Sequence, residues 1–274
     1  MSKSPYSPIP LSPYPLIPLP PVSQMMLDAG LQPKKSLGQN FLFDLNITRK
    51  IAKSVPDIKK QTVVEIGPGP GGLTRAILET GAKKVIAIEK DRTTQTILEQ
   101  IQNASDNRLT VIYGDALQTD IPPNVAICAN LPYNVGTELL IRWLHIPDKI
   151  KSLTLMFQKE VAMRIVAKPG SKQYGRLSVL TALNWNAKIL FNVPNTAFFP
   201  KPKVTSSIVQ LIPKSKIVSV TKAEKLAAIL FNQRRKMVRG IMPEVDWEKF
   251  GLTGEERAEN IPPELYLKIA ENMV

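Results

Sequence analysis

From Gln61 onward, short runs of β-branched and other apolar residues alternate with stretches of helical periodicity. Thr62-Val63-Val64-Glu65-Ile66, Lys84-Val85-Ile86-Ala87-Ile88, Leu109-Thr110-Val111-Ile112-Tyr113, Val125-Ala126-Ile127-Cys128 and Leu153-Thr154-Leu155-Met156-Phe157 each have the length and composition of a buried strand. Helical stretches near 72–80, 92–102, 136–145 and 159–167 fill the gaps. Strand alternating with helix predicts a parallel sheet with right-handed crossovers. Two more strands, Ile189 to Val193 and Ser207 to Ile212, are separated by a Pro-rich loop rather than a helix and are expected to form a final antiparallel pair. The pattern therefore predicts an α/β fold with a mostly parallel, seven-stranded sheet.

The two ends of the chain read differently. Pro5, Pro8, Pro10, Pro13, Pro15, Pro18, Pro20 and Pro21 are a third of the protein's 24 prolines. Each fixes φ and removes a donor, so residues 1–33 are expected to form a disordered or polyproline-like tail. Only Lys3 is basic before residue 34, and prolines interrupt every apolar run, which fits secretory and Arg-rich targeting signals poorly. After Pro213 the strands stop. Thr221 with Glu224 predicts a capping box opening a helix to about Arg235, and a second helix is expected over Pro263 to Met273. The expected division is a tail over 1–33, an α/β domain over 34–213 and a small helical domain over 214–274.

Composition narrows the function. With 274 residues, 43% hydrophobic and 22% charged, the chain can bury one good core plus a small appendage, which excludes disorder throughout. No stretch approaches the roughly 18 consecutive apolar residues of a spanning helix, so no membrane partner is expected. The single cysteine, Cys128, allows no internal disulfide and points to a reducing, cytoplasmic setting. Lying inside a buried strand, it reads as an inert small hydrophobe rather than a nucleophile. The lone histidine, His145, reads as structural, and no metal site is expected. The formal charge of +13 is uneven: residues 61–150 carry a net −2, whereas 1–60, 151–185 and 186–274 each carry +5. A near-neutral centre framed by basic surface suits a small-molecule site beside a polyanion, although a solvated Lys-rich surface would give the same count.

Chemistry concentrates at the ends of the predicted strands. Glu65-Ile66-Gly67-Pro68-Gly69-Pro70-Gly71-Gly72 follows the first strand and opens a helix, letting the backbone approach a ligand at the carboxyl edge of the sheet. Glu89, 22 residues after Gly67 at the end of the second strand, sits where a carboxylate can accept from ribose hydroxyls. Those two features alone indicate a nucleoside-bearing cofactor, and NAD would satisfy them. Gly114-Asp115-Ala116 closes the third strand, where Asp115 can accept from an adenine amine. Asn130-Leu131-Pro132-Tyr133 closes the fourth. An aromatic amine is a poor nucleophile because its lone pair is delocalised into the ring. If the Asn130 side-chain oxygen and the Leu131 carbonyl each accept one amine N–H, the nitrogen can pyramidalise and aim its lone pair at an electrophile, its growing positive charge stabilised by the two carbonyl dipoles. Tyr133 offers a face for a base removed from its stack.

This set resembles the S-adenosylmethionine-dependent adenine-N6 methyltransferases of ribosomal RNA, and the KsgA-type small-subunit dimethyladenosine transferases most of all. The resemblance also rests on Lys35-Ser36-Leu37-Gly38-Gln39-Asn40-Phe41-Leu42, Gln158-Lys159-Glu160-Val161-Ala162, Tyr174-Gly175-Arg176-Leu177-Ser178-Val179, Phe198-Phe199-Pro200-Lys201-Pro202-Lys203-Val204 and Phe231-Asn232-Gln233-Arg234-Arg235-Lys236. It implies a Rossmann-like class I methyltransferase fold with S-adenosylmethionine as co-substrate. It further implies that Asn40 and Leu42 close over the cofactor. Gly67 would touch its methionine end, Glu89 its ribose and Asp115 its adenine amine, and Asn130 would join cofactor and target. Tyr133 would stack on the target adenine and Phe199 would cover its other face, with Phe198 an adjacent alternative. The implied substrate is a pair of adjacent adenosines in a hairpin loop near the 3′ end of small-subunit ribosomal RNA, within an assembling small ribosomal subunit, and the enzyme is expected to act as a monomer.

Lys172, Arg176, Lys201, Lys203, Arg234, Arg235 and Lys236 are the expected phosphate contacts. Complementing a helix dipole is the alternative for the Arg-Arg-Lys run. Three other readings remain: a resistance-type large-subunit RNA adenine methyltransferase, a non-catalytic RNA-binding assembly or transcription factor, and an NAD oxidoreductase, for which no catalytic group is apparent.

Overall fold

A computed structural model describes residues 19–273; Pro5 to Pro18 of the expected tail lie outside the described residues. The sheet is built of β2 (Thr62–Ile66), β3 (Lys84–Glu89), β4 (Leu109–Tyr113), β5 (Val125–Asn130), β6 (Ile150–Gln158), β7 (Trp185–Val193) and β9 (Ser206–Pro213). Its order is β4-β3-β2-β5-β6-β9-β7, with β9 antiparallel to both neighbours and the pairs from β4 to β6 parallel. The expected α/β class, the strand count and the closing antiparallel pair are all present. Strand order reverses at β2, so a crevice opens beyond the carboxyl ends of β2 and β5.

Both faces of the sheet are covered, which explains why its strands read as unbroken apolar runs. Alternation along each strand divides the core in two. Val63, Val85, Ala126 and Cys128 pack on one face with α3 (Gly72–Glu79), α4 (Gln95–Asn103) and α2 (Leu45–Lys53). Val64, Ile66, Ile127 and Ala129 pack on the other with α5 (Gly136–Leu144), α6 (Lys159–Ile165) and α7 (Arg176–Asn184). The second cluster runs without a break into α8 (Thr221–Asn232) and α9 (Pro263–Asn272), through Leu226, Leu230, Tyr266 and Ile269. The C-terminal helices thus share the core of the sheet rather than carrying one of their own. Tyr174, fully buried, ties this region together: its hydroxyl donates to the Ile261 carbonyl at 2.9 Å, and Phe231 packs between Tyr174 and Tyr266.

Three local expectations need correction. Within the span expected to be tail, α1 (Val22–Asp28) buries Val22, Met25 and Met26 against the α2–α3 face. The helix begins at the residue after the last proline, and its i, i+3, i+4 apolar spacing was masked by the proline-rich run before it. Arg75 of α3 fixes its start by donating to the Pro20 carbonyl at 2.7 Å and the Leu19 carbonyl at 3.3 Å. The capping box at Thr221 is not formed: the N-cap is Val220, and Glu224 turns instead to His145 and Arg176. Finally, α8 stops at Asn232, leaving Arg234 and Arg235 in the following turn.

Two residue pairs outside the main sheet position the site. β1 (Phe41–Leu42) pairs antiparallel with β8 (Phe198–Phe199), with Phe41 opposite Phe199 and Leu42 opposite Phe198. This short ribbon joins the segment that precedes the sheet to the Pro-rich loop between β7 and β9.

Candidate active site

A cavity of about 240 Å³ occupies the crevice, and Asn40, Leu42, Gly67, Glu89, Asp115, Asn130, Leu131 and Tyr133 all line it. Eight residues singled out in the sequence, Asn40 and Leu42 among them only through the family resemblance, therefore face one space. The backbone approaches closely where the glycines lie. Gly69 has φ +54°, and a Cβ there would fall 2.9 Å from the Phe41 ring; one at Gly72 would fall 2.7 Å from the Leu42 carbonyl oxygen. Any side chain at either position would lift the Phe41–Leu42 segment off the crevice.

The carboxylates are held by donors. Glu89 accepts the Gly69 N–H on Oε2 at 2.9 Å and the Asp91 N–H on Oε1 at 2.7 Å. Each oxygen keeps further acceptor capacity, as contact with a ribose diol requires. Burial raises its pKa above the ordinary carboxylate value, and the two N–H donors partly offset that. Asp115 receives Lys90 Nζ at 2.8 Å on one oxygen and the Leu117 N–H at 2.9 Å on the other; the Lys90 bond leads in lowering its pKa. Arg142 of α5 donates to the carbonyls of Ala116 and Leu117, fixing the loop that carries Asp115.

Sequence reasoning passed over Glu65. It lines the cavity, is 2% exposed, and its Oε2 has no hydrogen-bond partner, as is also true of the nearby Thr74 Oγ1. Burial pushes its carboxyl up to about 8, with the Glu89 charge raising it further and Thr74 opposing. A buried acid with an unused oxygen lining a ligand cavity can accept from a donor on the ligand. The motif offered a signal, since Glu65 is the penultimate residue of β2, two positions before Gly67, but only its burial distinguishes it from a surface acid.

Asp91 and its partners were passed over as well. Burial acts to raise the Asp91 pKa, but hydrogen bonds from Lys34, Thr93 and Gln39 outweigh it and hold the carboxyl at about 2.

At the mouth of the cavity, Asn130 Nδ2 donates to the Asn40 main-chain carbonyl at 3.1 Å. A carbonyl can only accept, so the amide presents its NH2 to Asn40 and leaves Oδ1 as an acceptor. The turn that follows is closed by the Pro132 carbonyl, which accepts from Gly136 at 2.9 Å and Val135 at 3.2 Å. Tyr133 exchanges a hydrogen bond with Ser206 Oγ at 3.0 Å, which fixes its ring to β9. Phe199 does not line the cavity. It is 50% exposed beside Phe41 and stacks on Phe43 with centroids 6.1 Å apart, whereas Phe198 is 5% exposed and belongs to the core. Of the two adjacent aromatics, only Phe199 is exposed.

The expected phosphate contacts separate into two groups. Lys172, Lys201, Lys203, Arg235 and Lys236 are exposed, as is Arg176 despite its ion pair with Glu224. Arg234 is half-buried and occupied: it pairs with Glu259 at 2.7 Å and donates to the Lys172 carbonyl at 2.6 Å, so it staples a loop rather than offering a free charge. Arg176 pairs with Glu224, which His145 also reaches at 2.9 Å, so that α5, α7 and α8 are joined at one carboxylate. Cys128 is fully buried, and burial pushes its thiol well up, consistent with inert packing. No helix among the described residues is long and apolar enough to cross a membrane.

Residues 30–274 match the family model described as ribosomal RNA adenine dimethylase. The chain is 49% identical over 265 residues to the ribosomal RNA small subunit methyltransferase A of Agrobacterium fabrum, covering 91% of this chain and 96% of that protein. Among solved structures it resembles a dimethyladenosine transferase from Plasmodium falciparum, with a TM-score of 0.74, 28% identity, and coverage of 84% of this chain and 95% of the other. It also resembles the 23S rRNA methyltransferase ErmE, with a TM-score of 0.66, 24% identity, and coverage of 85% and 98%; at that identity the likeness is one of fold.

Proposed function

This chain belongs to the ribosomal RNA adenine dimethylase family, and from that membership we propose that it dimethylates the N6 amines of two adjacent adenosines in a 3′-terminal hairpin loop of small-subunit ribosomal RNA. The coarser statement, that it is a ribosomal RNA adenine methyltransferase of the class I fold, follows from the family and from the solved relatives. That fold implies S-adenosylmethionine, and the cavity suits it: carboxylates end β3 and follow β4, glycines admit close backbone approach, and Glu65 keeps an unpaired buried oxygen. Glu89 would hold the ribose, Asp115 the adenine amine and Gly67 the methionine end, with Asn40 and Leu42 above. When bound, S-adenosylmethionine supplies an electrophilic methyl group.

The observation that carries the reading is the orientation of Asn130. Its NH2 is spent on Asn40, so Oδ1 is the atom available to accept an amine N–H, and the Leu131 carbonyl is the second acceptor. Two acceptors on one amine localise its lone pair and stabilise the cation formed as the methyl is accepted. Tyr133 would support one face of the adenine and Phe199 the other. The exposed Lys172, Lys201, Lys203, Arg235 and Lys236 would take phosphates of the flanking RNA, with Arg176 at the edge of that surface. We place the reaction in the cytoplasm, on an assembling small subunit, with one copy of the chain acting alone.

The test is transfer of labelled methyl from S-adenosylmethionine to purified small ribosomal subunits lacking the modification, with large subunits in parallel, followed by digestion to nucleosides. Dimethyladenosine from small subunits alone is the expected result. Label in large subunits would favour the resistance-type activity, and tight subunit binding without label would favour a non-catalytic assembly role.

A further inference from the structure

Asp91 does not line the cavity, yet three parts of the site meet on it. Its main-chain N–H holds Glu89 Oε1 at 2.7 Å. Its buried carboxylate receives Lys34 Nζ on Oδ1 at 2.7 Å and Gln39 Nε2 on Oδ2 at 2.9 Å, while the Thr93 hydroxyl and N–H reach Oδ1 at 2.7 and 3.1 Å. Lys34 and Gln39 are also closed on each other, the Lys34 N–H donating to Gln39 Oε1 at 2.8 Å. Among the described residues, the side chains of Lys34 and Gln39 reach the sheet domain through Asp91 and its neighbour Thr93. The next residue, Asn40, offers the carbonyl that orients Asn130. Two residues further on, the Leu42 carbonyl lies over Gly72.

We propose that Asp91 is a positioning residue for methyl transfer: it clasps residues 34–42 across the cofactor cleft, and through the Asn40 carbonyl it keeps the Asn130 amide turned so that Oδ1 meets the substrate amine. This rests on the function read above. With the clasp open, nothing on Asn40 would fix the Asn130 amide, and a flipped amide would present donors to an amine that must itself donate. Asp91 also couples the two halves of the site. One atom group sets the Glu89 carboxylate for the ribose, and another holds the cover above it, so cover closure and ribose contact favour each other. A partner that is a carboxylate suits the task, because its two oxygens together make an ion pair with Lys34 and a charge-assisted bond with the neutral amide of Gln39.

The test compares wild type with Asp91→Asn, Lys34→Met and the double variant. Three quantities are measured: amide hydrogen exchange of residues 34–42 in the cofactor-free protein, S-adenosylmethionine affinity by calorimetry, and the single-turnover methylation rate at saturating cofactor. Asp91→Asn should speed exchange across 34–42 selectively, weaken cofactor binding about tenfold or more as the closed fraction falls, and lower the single-turnover rate even at saturation. Lys34→Met should move all three the same way, and the double variant should be no worse than Asp91→Asn, since both act through one clasp. Unchanged exchange and affinity in Asp91→Asn would overturn the clasp. Altered affinity with an unchanged saturated rate would overturn the link to Asn130. If Asp91→Asn does not fold, Lys34→Met decides on the same criteria. If wild type binds the cofactor but methylates no ribosomal RNA, the functional reading fails, while exchange and affinity still judge the clasp.

Discussion

Replacing Glu65 with Gln tests whether the lining of the cavity is what the structure makes it. Burial moves the Glu65 carboxyl from 4.5 up to about 8, so the folded protein retains a proton that the unfolded chain releases near pH 4.5. Between those values the unfolded chain binds fewer protons, and stability must fall as pH rises, by about 1.4 kcal/mol per pH unit. The contribution is fully favourable below the unfolded value, has lost on the order of 3 kcal/mol by pH 7, and stops falling once pH passes the folded value. Glutamine has nearly the same shape and no proton to release. Whatever its amide gains or loses by packing beside Thr74 is therefore the same at every pH, and only the slope of the difference reports the carboxyl. The assay is urea unfolding of the cofactor-free protein across about pH 5 to 8.5 for wild type and Glu65→Gln. The expected outcome is a difference that grows in favour of the Gln variant across that range and levels off at its upper end. Parallel stability curves would refute the reasoning, because they would mean that Glu65 ionises in the folded state as easily as in water.

Other outcomes follow from the same geometry. Asn130→Ala should cut methyl transfer by about 10² to 10³ or more, the scale of losing one preorganised polar contact, with RNA affinity nearly intact; a filter-binding assay showing a large affinity loss would count against its proposed role. Replacing Arg235 and Lys236 with Ala should flatten the dependence of log affinity on log salt by about 0.7 to 0.9 per lost phosphate contact, whereas an unchanged slope would mean that these charges are only solvated. Arg234→Ala should act differently, lowering unfolding stability by about 1–3 kcal/mol through loss of its Lys172 and Glu259 partners and leaving the salt slope alone. Equal stability with a reduced slope would return Arg234 to the phosphate-binding group.

Most of the architecture was legible because it rests on local periodicity. Val63 and Val64, Val85 and Ile86, Ala126 and Ile127 go to opposite faces of the sheet, and a sheet covered on both sides leaves continuous apolar runs in sequence. The cavity residues Glu89, Asp115 and Asn130 were legible for a related reason: each lies at or just past the end of a strand, and parallel strands bring those ends to one edge. Less legible were segments whose signal was short or overlaid. The helix Val22–Asp28 lay behind a run of prolines, and Glu224 matched a cap pattern while its carboxylate went to His145, 79 residues away in sequence.

Sequence by itself determined which elements form, which strand ends carry carboxylates and amides, and that basic segments flank a near-neutral central stretch of the chain. Those are properties of residue type and spacing, and they are present in the chain before it folds. Tertiary structure alone decided that Lys34 and Gln39 close on Asp91, more than fifty positions away, that the Asn40 carbonyl selects one orientation of the Asn130 amide, that Arg234 is spent on Glu259, and that Glu65 keeps its proton at neutral pH. Each of these depends on the distance between groups remote in sequence, or on the exclusion of water from one of them. Charge state and hydrogen-bond partnership follow from surroundings, and surroundings exist only once the chain has packed.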